Sequence, residues 1–171
     1  QAAIAARADE IGLFTACSDG FTRANIGIGV EESLIRFAPL VTEARRLGIK
    51  VRGYLSTVIS CPYDGPTRPK RVAALAERLL DLGCHEISLG DTIGTGTPGT
   101  VAPMLDAVLH EVPAGRLAVH FHDTYGQGLA NLLPALERGI RTIDCSVAGL
   151  GGCPYAPGAS GNVASEEVVY L

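Results

Sequence analysis

The stretch Leu117-Ala118-Val119-His120-Phe121-His122-Asp123 decides the fold of this chain. Along a β-strand, successive side chains point to opposite faces of the sheet. One face of this stretch is then wholly apolar, with Leu117, Val119 and Phe121. The other face carries Ala118, His120 and His122. The stretch therefore predicts a strand with one face packed under helices and a second face available for polar chemistry.

The same organisation extends outward along the chain. Predicted strands cover residues 11–18, 50–57, 86–91 and 142–149, and predicted helices cover 31–47, 68–82, 98–111 and 125–138. Strands that alternate with helices in this way predict a parallel sheet with helical crossovers. The polar face recurs in the other strands and carries Arg52, Tyr54, Glu86, Ser88 and Asp144.

Two architectures fit a parallel sheet of this kind. A doubly wound sheet has helices on both faces, so its strands read as almost continuous apolar runs. The polar face favours instead a (β/α)8 TIM barrel, in which one strand face points to the central axis. Such a barrel takes about 250 residues, whereas five β/α units fill the 171 residues of this chain. We therefore expect an α/β fold in which residues 1–171 form a single incomplete TIM-barrel catalytic domain, with three amino-terminal units and the carboxyl-terminal end missing.

The composition excludes several classes of partner. The chain has 14 Lys and Arg residues against 18 Asp and Glu residues, a formal charge of -4, and nucleic-acid binders usually carry a basic patch. No apolar run approaches the length of about 20 residues that spans a bilayer. The five cysteines lack the close pairs of a zinc ribbon. We expect no nucleic-acid or membrane partner, and free thiols in a reducing compartment.

His120 and His122 form the strongest local signal for chemistry. Residues two apart on a strand face the same way, about 6.5–7 Å apart along the chain. Two imidazoles on one face can therefore reach a single metal ion, because histidine is the commonest metal ligand. The alternative is a pair of histidines with a purely structural place in the core or on the surface.

A glycine-rich loop over residues 149–162 follows the last predicted strand. Long loops in compact domains are usually lids or binding loops. Cys153 stands among its glycines and can act as an acid, base or nucleophile if its pKa is lowered. Asn162 at the end of the loop can supply an oxygen ligand or cap the following helix. The alternative is a flexible loop with an incidental thiol.

A second glycine motif, Gly94-Thr95-Gly96-Thr97-Pro98-Gly99, matches the GxGxxG pattern of dinucleotide-binding proteins. Two features argue against NAD. Asp123, at the tip of the next strand, ends a two-histidine strand, whereas the fingerprint needs an acid for the ribose. Pro98 stands immediately before the third glycine. We expect a tight loop capped by Thr97, with Pro98 as the first helical residue, and with Asp91 at the strand tip just before it.

These motifs together resemble the hydroxymethylglutaryl-CoA lyase family along essentially the whole chain. The likeness is carried by the loop 149–162 with its continuation 163–171, and by the motifs at 87–94 and 119–127. Shorter agreements occur at 51–54, at 61–63 and at Phe21, Thr22 and Asn25. The two-histidine strand alone also fits related metal-dependent aldolase-like barrels. The Gly-Gly-Cys-Pro-Tyr string is what narrows the resemblance to the lyases.

The resemblance implies a TIM barrel that cleaves 3-hydroxy-3-methylglutaryl-CoA into acetyl-CoA and acetoacetate with a divalent metal cation, Mg2+ or Mn2+, and with neither NAD nor pyridoxal phosphate. It implies metal ligation by His120, His122 and Asn162. It implies catalytic roles for Cys153, Asp91 and His120. Acidic residues near the metal would be Glu166 and Asp123. Substrate-pocket positions would be Asn25, Tyr54 and Ser88.

The resemblance also implies an acyl-CoA as the small-molecule partner and a homo-oligomer for the intact protein. It implies the cytoplasm in a bacterium, or the mitochondrial matrix in a eukaryote. The chain departs from the family pattern in one respect, because the Arg-Asp pair of the family's first strand has no counterpart here. Two alternatives stay open: a related acyl-CoA condensing synthase of the isopropylmalate or homocitrate type, and a non-catalytic truncated remnant.

Overall fold

The structure, a computed structural model, describes residues 2–155 and 161–171. Its elements follow one another as α1 (Ala2–Ala5), β1 (Glu10–Ala16), α2 (Asp19–Ile26), α3 (Val30–Arg46), β2 (Lys50–Ser56), β3 (Ser60–Cys61), β4 (Gly65–Pro66), α4 (Pro69–Leu82), β5 (Glu86–Asp91), α5 (Pro98–Glu111), β6 (Leu117–Phe121), α6 (Gly128–Glu137), β7 (Thr142–Ile143) and α7 (Ser165–Tyr170). Single 3-10 turns occur at Ala114–Arg116 and Val147–Gly149. No described helix is both long and apolar enough to cross a membrane.

Five strands form one parallel sheet in the order β1-β2-β5-β6-β7. The short strands β3 and β4 form a separate antiparallel hairpin. The register sets Tyr54 beside Ser88 and Gly90 beside His120. Polar side chains of neighbouring strands therefore lie side by side on one face of the sheet.

The opposite face of the sheet forms the hydrophobic core with the crossover helices. In β2, β5 and β6 the apolar side chains of this face are fully buried, including Leu55, Leu89 and Phe121, whereas Val147, past the end of β7, is 64% exposed. They share one cluster with Leu79 of α4 and Leu105 of α5. The alternation of strand side chains thus confirms the prediction of one apolar face under helices.

Local sequence signals fix the ends of the crossover helices. Helices α4 and α5 both begin at a proline, whose fixed φ suits the first helical position. Gly83 ends α4 with a φ of 113°, a left-handed conformation that glycine adopts without a steric penalty. Thr97 and Thr100 cap α5 reciprocally. The second glycine motif is therefore a capped βα loop, as predicted.

The structure differs from the predicted elements in two places. Residues 21–25, which no predicted strand or helix covers, belong to helix α2, because Ser18 caps it by accepting the backbone N–H of Phe21 and Gly27 ends it with a φ of 76°. The last strand, predicted over 142–149, keeps sheet geometry only at Thr142–Ile143. A 3-10 turn follows, in which Ala148 has a left-handed φ of 54°.

Candidate metal and active site

The two histidines of β6 and its extension point toward the same spot. The Nε2 atom of His120 lies 3.2 Å from the Nε2 atom of His122, and the rings are nearly perpendicular. Two nitrogens bound to one cation at about 2.1 Å, as adjacent ligands, lie about 3 Å apart. The spacing of the imidazoles is therefore that of two ligands of a single ion.

Burial keeps both imidazoles neutral. It lowers the pKa of His122 to about 4, with a smaller contribution from the neighbouring His120. It also lowers the pKa of His120, against the opposing effect of Asp144. A metal-binding imidazole must be unprotonated, so the pair is in the ligating form at neutral pH.

Asn162 joins the histidines through the backbone. It forms an isolated antiparallel bridge with His122, and the N–H of Asp123 donates to the carbonyl oxygen of Gly161 at 3.0 Å. The amide Nδ2 of Asn162 donates to the carbonyl oxygen of Leu150 at 2.9 Å. Its buried Oδ1 has no hydrogen-bond partner among the described residues. This oxygen is thus available to coordinate a cation, and the backbone bridge sets Asn162 next to His122.

These donors fit part of the coordination of a divalent cation. Two imidazole nitrogens and one amide oxygen are chemically suitable, but Mg2+ and Mn2+ favour oxygen ligands and octahedral coordination. Within residues 2–155 and 161–171, no group of three or more His, Cys, Asp or Glu could hold a metal ion. The remaining ligands must therefore come from water, substrate or other protein groups.

A cavity of about 280 Å³ opens beside the histidine pair. Its walls come from all five strands of the sheet or from the residues that directly follow them. It is lined by Phe14, Tyr54, Leu55, Ser56, Ser88, Gly90, Thr92, His120, His122 and Asp144. Phe14 and Tyr54 form one wall by stacking, with ring centroids 4.4 Å apart. The predicted substrate positions Tyr54 and Ser88 therefore both face this cavity.

A network of charged side chains lies on the same face of the sheet. The Arg52 guanidinium, only 8% exposed, donates from Nε to Glu86 at 2.6 Å and from Nη1 to the Tyr54 hydroxyl at 2.8 Å. Nη1 also contacts both carboxylate oxygens of Asp144, at 2.9 and 3.0 Å. The Ser88 hydroxyl donates to Asp144 at 2.6 Å. Burial alone would lower the pKa of Arg52, but hydrogen bonds to Tyr54, Asp144 and Glu86 hold it above its usual value.

Asp91 lies on the other side of strand β5. Its side chain shares the parity of Leu89, and Oδ2 accepts the backbone N–H of Gly96 at 2.7 Å. The residue is fully buried, which raises the pKa of the carboxyl, while backbone N–H groups of residues 94–96 oppose that rise. Asp91 is the last residue of β5, and its side chain turns to the following βα loop rather than lining the cavity. Its catalytic role stays a prediction.

The start of the glycine-rich loop is anchored at Tyr155. Its ring packs edge-on against Phe21 of α2, with centroids 4.8 Å apart, and against Tyr63 at 6.1 Å. Its hydroxyl donates to Oδ1 of Asn25 at 3.4 Å. Cys153, two residues earlier, is half-buried. Residues 156–160 of this loop lie outside the described residues.

The far arm of the loop returns beside its start. Gly161 has a φ of 104°, and a β-carbon there would collide with the carbonyl oxygens of Gly149 and Gly151. Only glycine permits this close approach, which sets Asn162 beside the loop start. The glycine-rich composition is thus needed to place the amide ligand.

The other two acidic residues predicted near the metal, Glu166 and Asp123, accept hydrogen bonds from backbone N–H groups. The exposed Glu166 accepts the N–H of Ala148 at 2.9 Å, and backbone N–H groups, its own first, lower the pKa of its carboxyl. Asp123 Oδ1 accepts the N–H of Gly128 at 2.7 Å, at the start of α6. Asp123 directly follows His122, whereas Glu166 contacts the turn at Ala148. The roles of both residues stay predictions.

Arg52 and Asp144 were not singled out as site residues from the sequence. Both already stood on the predicted polar face of their strands. The missing information was that one guanidinium joins β2, β5 and the end of β7. Strand parity gives the face of a residue, but it does not give its partners.

The comparisons with known proteins agree with this geometry. A family model described as HMGL-like matches residues 1–171. The chain is 57% identical over its whole length to a protein named hydroxymethylglutaryl-CoA lyase, mitochondrial, of Arabidopsis thaliana, covering 36% of that protein. It is 56% identical to a protein named 3-hydroxy-3-methylglutaryl-CoA lyase, cytoplasmic, of Danio rerio, covering 51% of it. The chain thus spans about half the length of the curated relatives it matches, or less.

Solved structures match equally well. The HMG-CoA lyase of Brucella melitensis superimposes with a TM-score of 0.96 at 56% identity, over 99% of this chain and 60% of that one. The HMG-CoA lyase of Acinetobacter baumannii, solved in complex with coenzyme A and 3-methylmalate, gives a TM-score of 0.91 at 37% identity, over 98% of this chain and 54% of that one. These likenesses confirm the prediction of a partial TIM barrel.

Proposed function

The chain belongs to the HMGL-like family, and from that premise we propose that the intact protein cleaves 3-hydroxy-3-methylglutaryl-CoA into acetyl-CoA and acetoacetate. The observation that carries the proposal is identity of 53–57% along the whole chain to curated proteins named as this lyase. The histidine pair and Asn162, beside a cavity and a loop with a half-buried thiol, support it.

The reaction is a reverse aldol cleavage. The substrate's tertiary hydroxyl loses its proton, the adjacent carbon–carbon bond breaks, and acetoacetate leaves. The electron pair passes to the thioester enolate, which takes up one proton to become acetyl-CoA. One proton is therefore removed from the hydroxyl and one is given to the enolate carbon. A single side chain that first takes up a proton and then returns it is sufficient.

We assign the metal ligands as His120, His122 and Asn162, because their two nitrogens and one unpaired oxygen fit such an ion. The chemistry that a bound Mg2+ or Mn2+ supplies is Lewis-acid polarisation of the substrate's hydroxyl and carboxylate oxygens. His120 holds its ring toward the reacting oxygens. Asp123 and Glu166 brace the backbone around these ligands.

Cys153 is the proposed proton carrier at the enolate carbon. Its loop is docked through Tyr155 onto α2 and the β3–β4 hairpin, which would bring the thiol over the cavity and exclude water. Tyr54 and Ser88 line the substrate pocket, and Asn25 acts on its rim through Tyr155. Asp91 contributes by ordering the loop over residues 94–96.

The proposal extends to the setting of the protein. We infer that residues 1–171 are part of one TIM-barrel catalytic domain, which takes an acyl-CoA, binds neither nucleic acid nor membrane and acts as a homo-oligomer. Named relatives occur both in mitochondria and in the cytoplasm. We place the protein in the cytoplasm if its source is bacterial, and in the mitochondrial matrix if it is eukaryotic.

A direct assay tests the lyase activity. The intact protein, with Mg2+, should release acetoacetate from 3-hydroxy-3-methylglutaryl-CoA. A protein that releases no acetoacetate but consumes acetyl-CoA together with a 2-oxo acid would be a condensing synthase. A protein inactive in both assays would be the non-catalytic remnant.

A further inference from the structure

The Arg52–Asp144 pair stands out because it is buried, charged and joined to the histidine site. Arg52 comes from β2, and Asp144 follows the last residue of β7. Between these two strands lie β5 and β6, so the pair crosses most of the sheet. An ion pair of this kind is often no more stabilising than an apolar pair of the same shape. Its placement therefore calls for a reason beyond stability.

Asp144 is held from three directions. Its backbone N–H donates to the carbonyl oxygen of Val119 at 2.9 Å, immediately before His120. Its carboxylate contacts Arg52 through both oxygens, at 2.9 and 3.0 Å. The buried hydroxyl of Ser88 donates to the same carboxylate at 2.6 Å. The position and orientation of Asp144 are therefore fixed on all sides.

Asp144 in turn contacts the first histidine of the pair. Both residues line the same cavity. Asp144 lies next to His120 across the pairing of β6 with β7, one residue beyond the paired Val119 and Ile143. Burial lowers the pKa of His120, and the neighbouring Asp144 opposes that change through its carboxylate and its backbone. Since Nε2 of His120 faces His122, the ring nitrogen left to contact Asp144 is Nδ1. The contact leaves the Nε2 lone pair directed at the proposed metal position.

We propose that Arg52 and Asp144 are positioning residues, which fix the ring orientation and tautomer of His120 for metal binding. The inference rests on the proposed function for the metal site, but not on the identity of the substrate. A metal-binding histidine commonly donates its second ring N–H to a carboxylate or carbonyl, and such partners change metal affinity by about 10–100-fold. Arg52 acts at one remove, by holding Asp144.

A matched pair of substitutions tests the inference. Asp144→Asn removes the charge that faces both Arg52 and His120, and with it the ion pair that holds Asp144 in place beside the His120 ring. Glu86→Gln removes the charge of the other carboxylate that contacts Arg52, at 2.6 Å from Nε. Glu86 lies four residues before Gly90, the residue of β5 that pairs with His120. Both variants weaken the hold on the same guanidinium, so they share the general structural effect. Only Asp144 adjoins the metal-binding histidine.

The readout is Mn2+ affinity of the intact protein by titration calorimetry. Asp144→Asn should weaken Mn2+ binding by about tenfold or more, whereas Glu86→Gln should leave it nearly unchanged. Equal losses in both variants, no loss in either, or a wild-type protein that binds no Mn2+ would each overturn the inference. A wild-type protein that binds Mn2+ but releases no acetoacetate would refute the lyase proposal and leave the affinity comparison valid.

A second measurement does not depend on how the variants fold. Nitrogen-15 NMR of the metal-free wild-type protein, with the histidine rings labelled, reports which ring nitrogen carries the proton. The inference expects His120 protonated on Nδ1 and bare on Nε2. A His120 protonated on Nε2 would overturn it.

Discussion

Cys153 carries the most specific expectation at the scale of single residues. Loss of a general acid or base typically reduces a rate by about 10²–10⁴-fold. Cys153→Ala should therefore lower the turnover of the intact protein by about 10²-fold or more, without changing Mn2+ affinity. The matched control is Cys145→Ala, since Cys145 is an exposed thiol that accepts a hydrogen bond from Ser165. A Cys153→Ala enzyme as fast as the control would remove this thiol from the mechanism.

The lowered pKa of His122 predicts how the stability of the metal-free protein changes with pH. Its folded-state pKa of about 4 lies below the ordinary value of 6.5, so the unfolded chain binds a proton that the folded chain refuses. Stability should thus be lost as the pH falls from about 6.5 toward about 4, by at most about 3.5 kcal/mol at about 1.4 kcal/mol per pKa unit. Urea unfolding with a chelator present, at several pH values, measures this slope. In His122→Gln the slope should be shallower; an unchanged slope would contradict the assignment.

How far the site was predictable differs from residue to residue. The histidine pair followed from one strand, because parity alone sets two side chains on one face. The grouping of Arg52, Ser88 and Asp144 depends on the strand order β2-β5-β6-β7 and on register, which the sequence pattern does not give. Asp91 shows the limit of strand-tip reasoning, since its carboxylate turns away to the backbone of Gly96.

At the scale of elements, the buried strands matched their predictions best. Strands β2 and β5 and helix α5 were predicted almost residue by residue, because apolar and polar side chains alternate in the strands and the helix is marked by its proline start and by apolar residues at helical spacing. Helix α2 was missed, since it has eight residues and depends on caps at Ser18 and Gly27 rather than on a periodic apolar face. The predicted strand over 142–149 was longer than β7, because apolar and polar side chains go on alternating in the sequence as far as the turn at Ala148.

The docking of the glycine-rich loop onto α2 yields an element-scale prediction. Removing the Tyr155 ring should misplace Cys153, and small misplacements can cost up to about 10²-fold in rate. We expect Tyr155→Ala to lower turnover by about tenfold, while Tyr155→Phe, which keeps the ring contacts with Phe21 and Tyr63, stays near wild type. Tyr170→Ala is the control, because Tyr170 is 95% exposed. Steady-state kinetics would refute the docking role if Tyr155→Ala and Tyr170→Ala had equal turnover.

A second prediction at the scale of elements concerns the contact between helix α6 and the end of the glycine-rich loop, which carries Asn162. A β-carbon at Gly128 would lie 2.5 Å from Val163 Cγ2 and 2.9 Å from Asp123 Oδ1. Gly128→Ala should therefore destabilise the protein by about 1–3 kcal/mol through overpacking, and weaken Mn2+ binding by displacing Asn162. Gly115→Ala meets open space and should be neutral or slightly stabilising. Urea unfolding and Mn2+ titration of both variants test this, and a Gly128→Ala protein as stable as Gly115→Ala would contradict the tight contact.

At the scale of the whole molecule, the sheet presents two outer strands and an open inner face. Strands β1 and β7 each pair with only one neighbour among the described residues. Phe14, on the inner face of β1, is 53% exposed. Nη2 of Arg52 is buried and has no hydrogen-bond partner among the described residues. These are surfaces that further strands of a closed barrel would cover. A polypeptide limited to residues 1–171 should therefore associate through the seven-residue edge of β1. It should also bind Mn2+ poorly, because two imidazoles and one amide oxygen leave an octahedral cation short of ligands.

Two substitutions distinguish this edge from the other apolar surface of the chain. Phe14→Lys sets a charge on the edge strand, a device that blocks strand pairing in natural sheets. Ile35→Lys sets the same charge on helix α3, where Ile35 is 71% exposed. In analytical ultracentrifugation of the 171-residue polypeptide, Phe14→Lys should shift the population toward monomer and Ile35→Lys should not. The reverse result would assign the self-association to the outer helical face, and a polypeptide that is monomeric without either change would refute the exposed-edge argument.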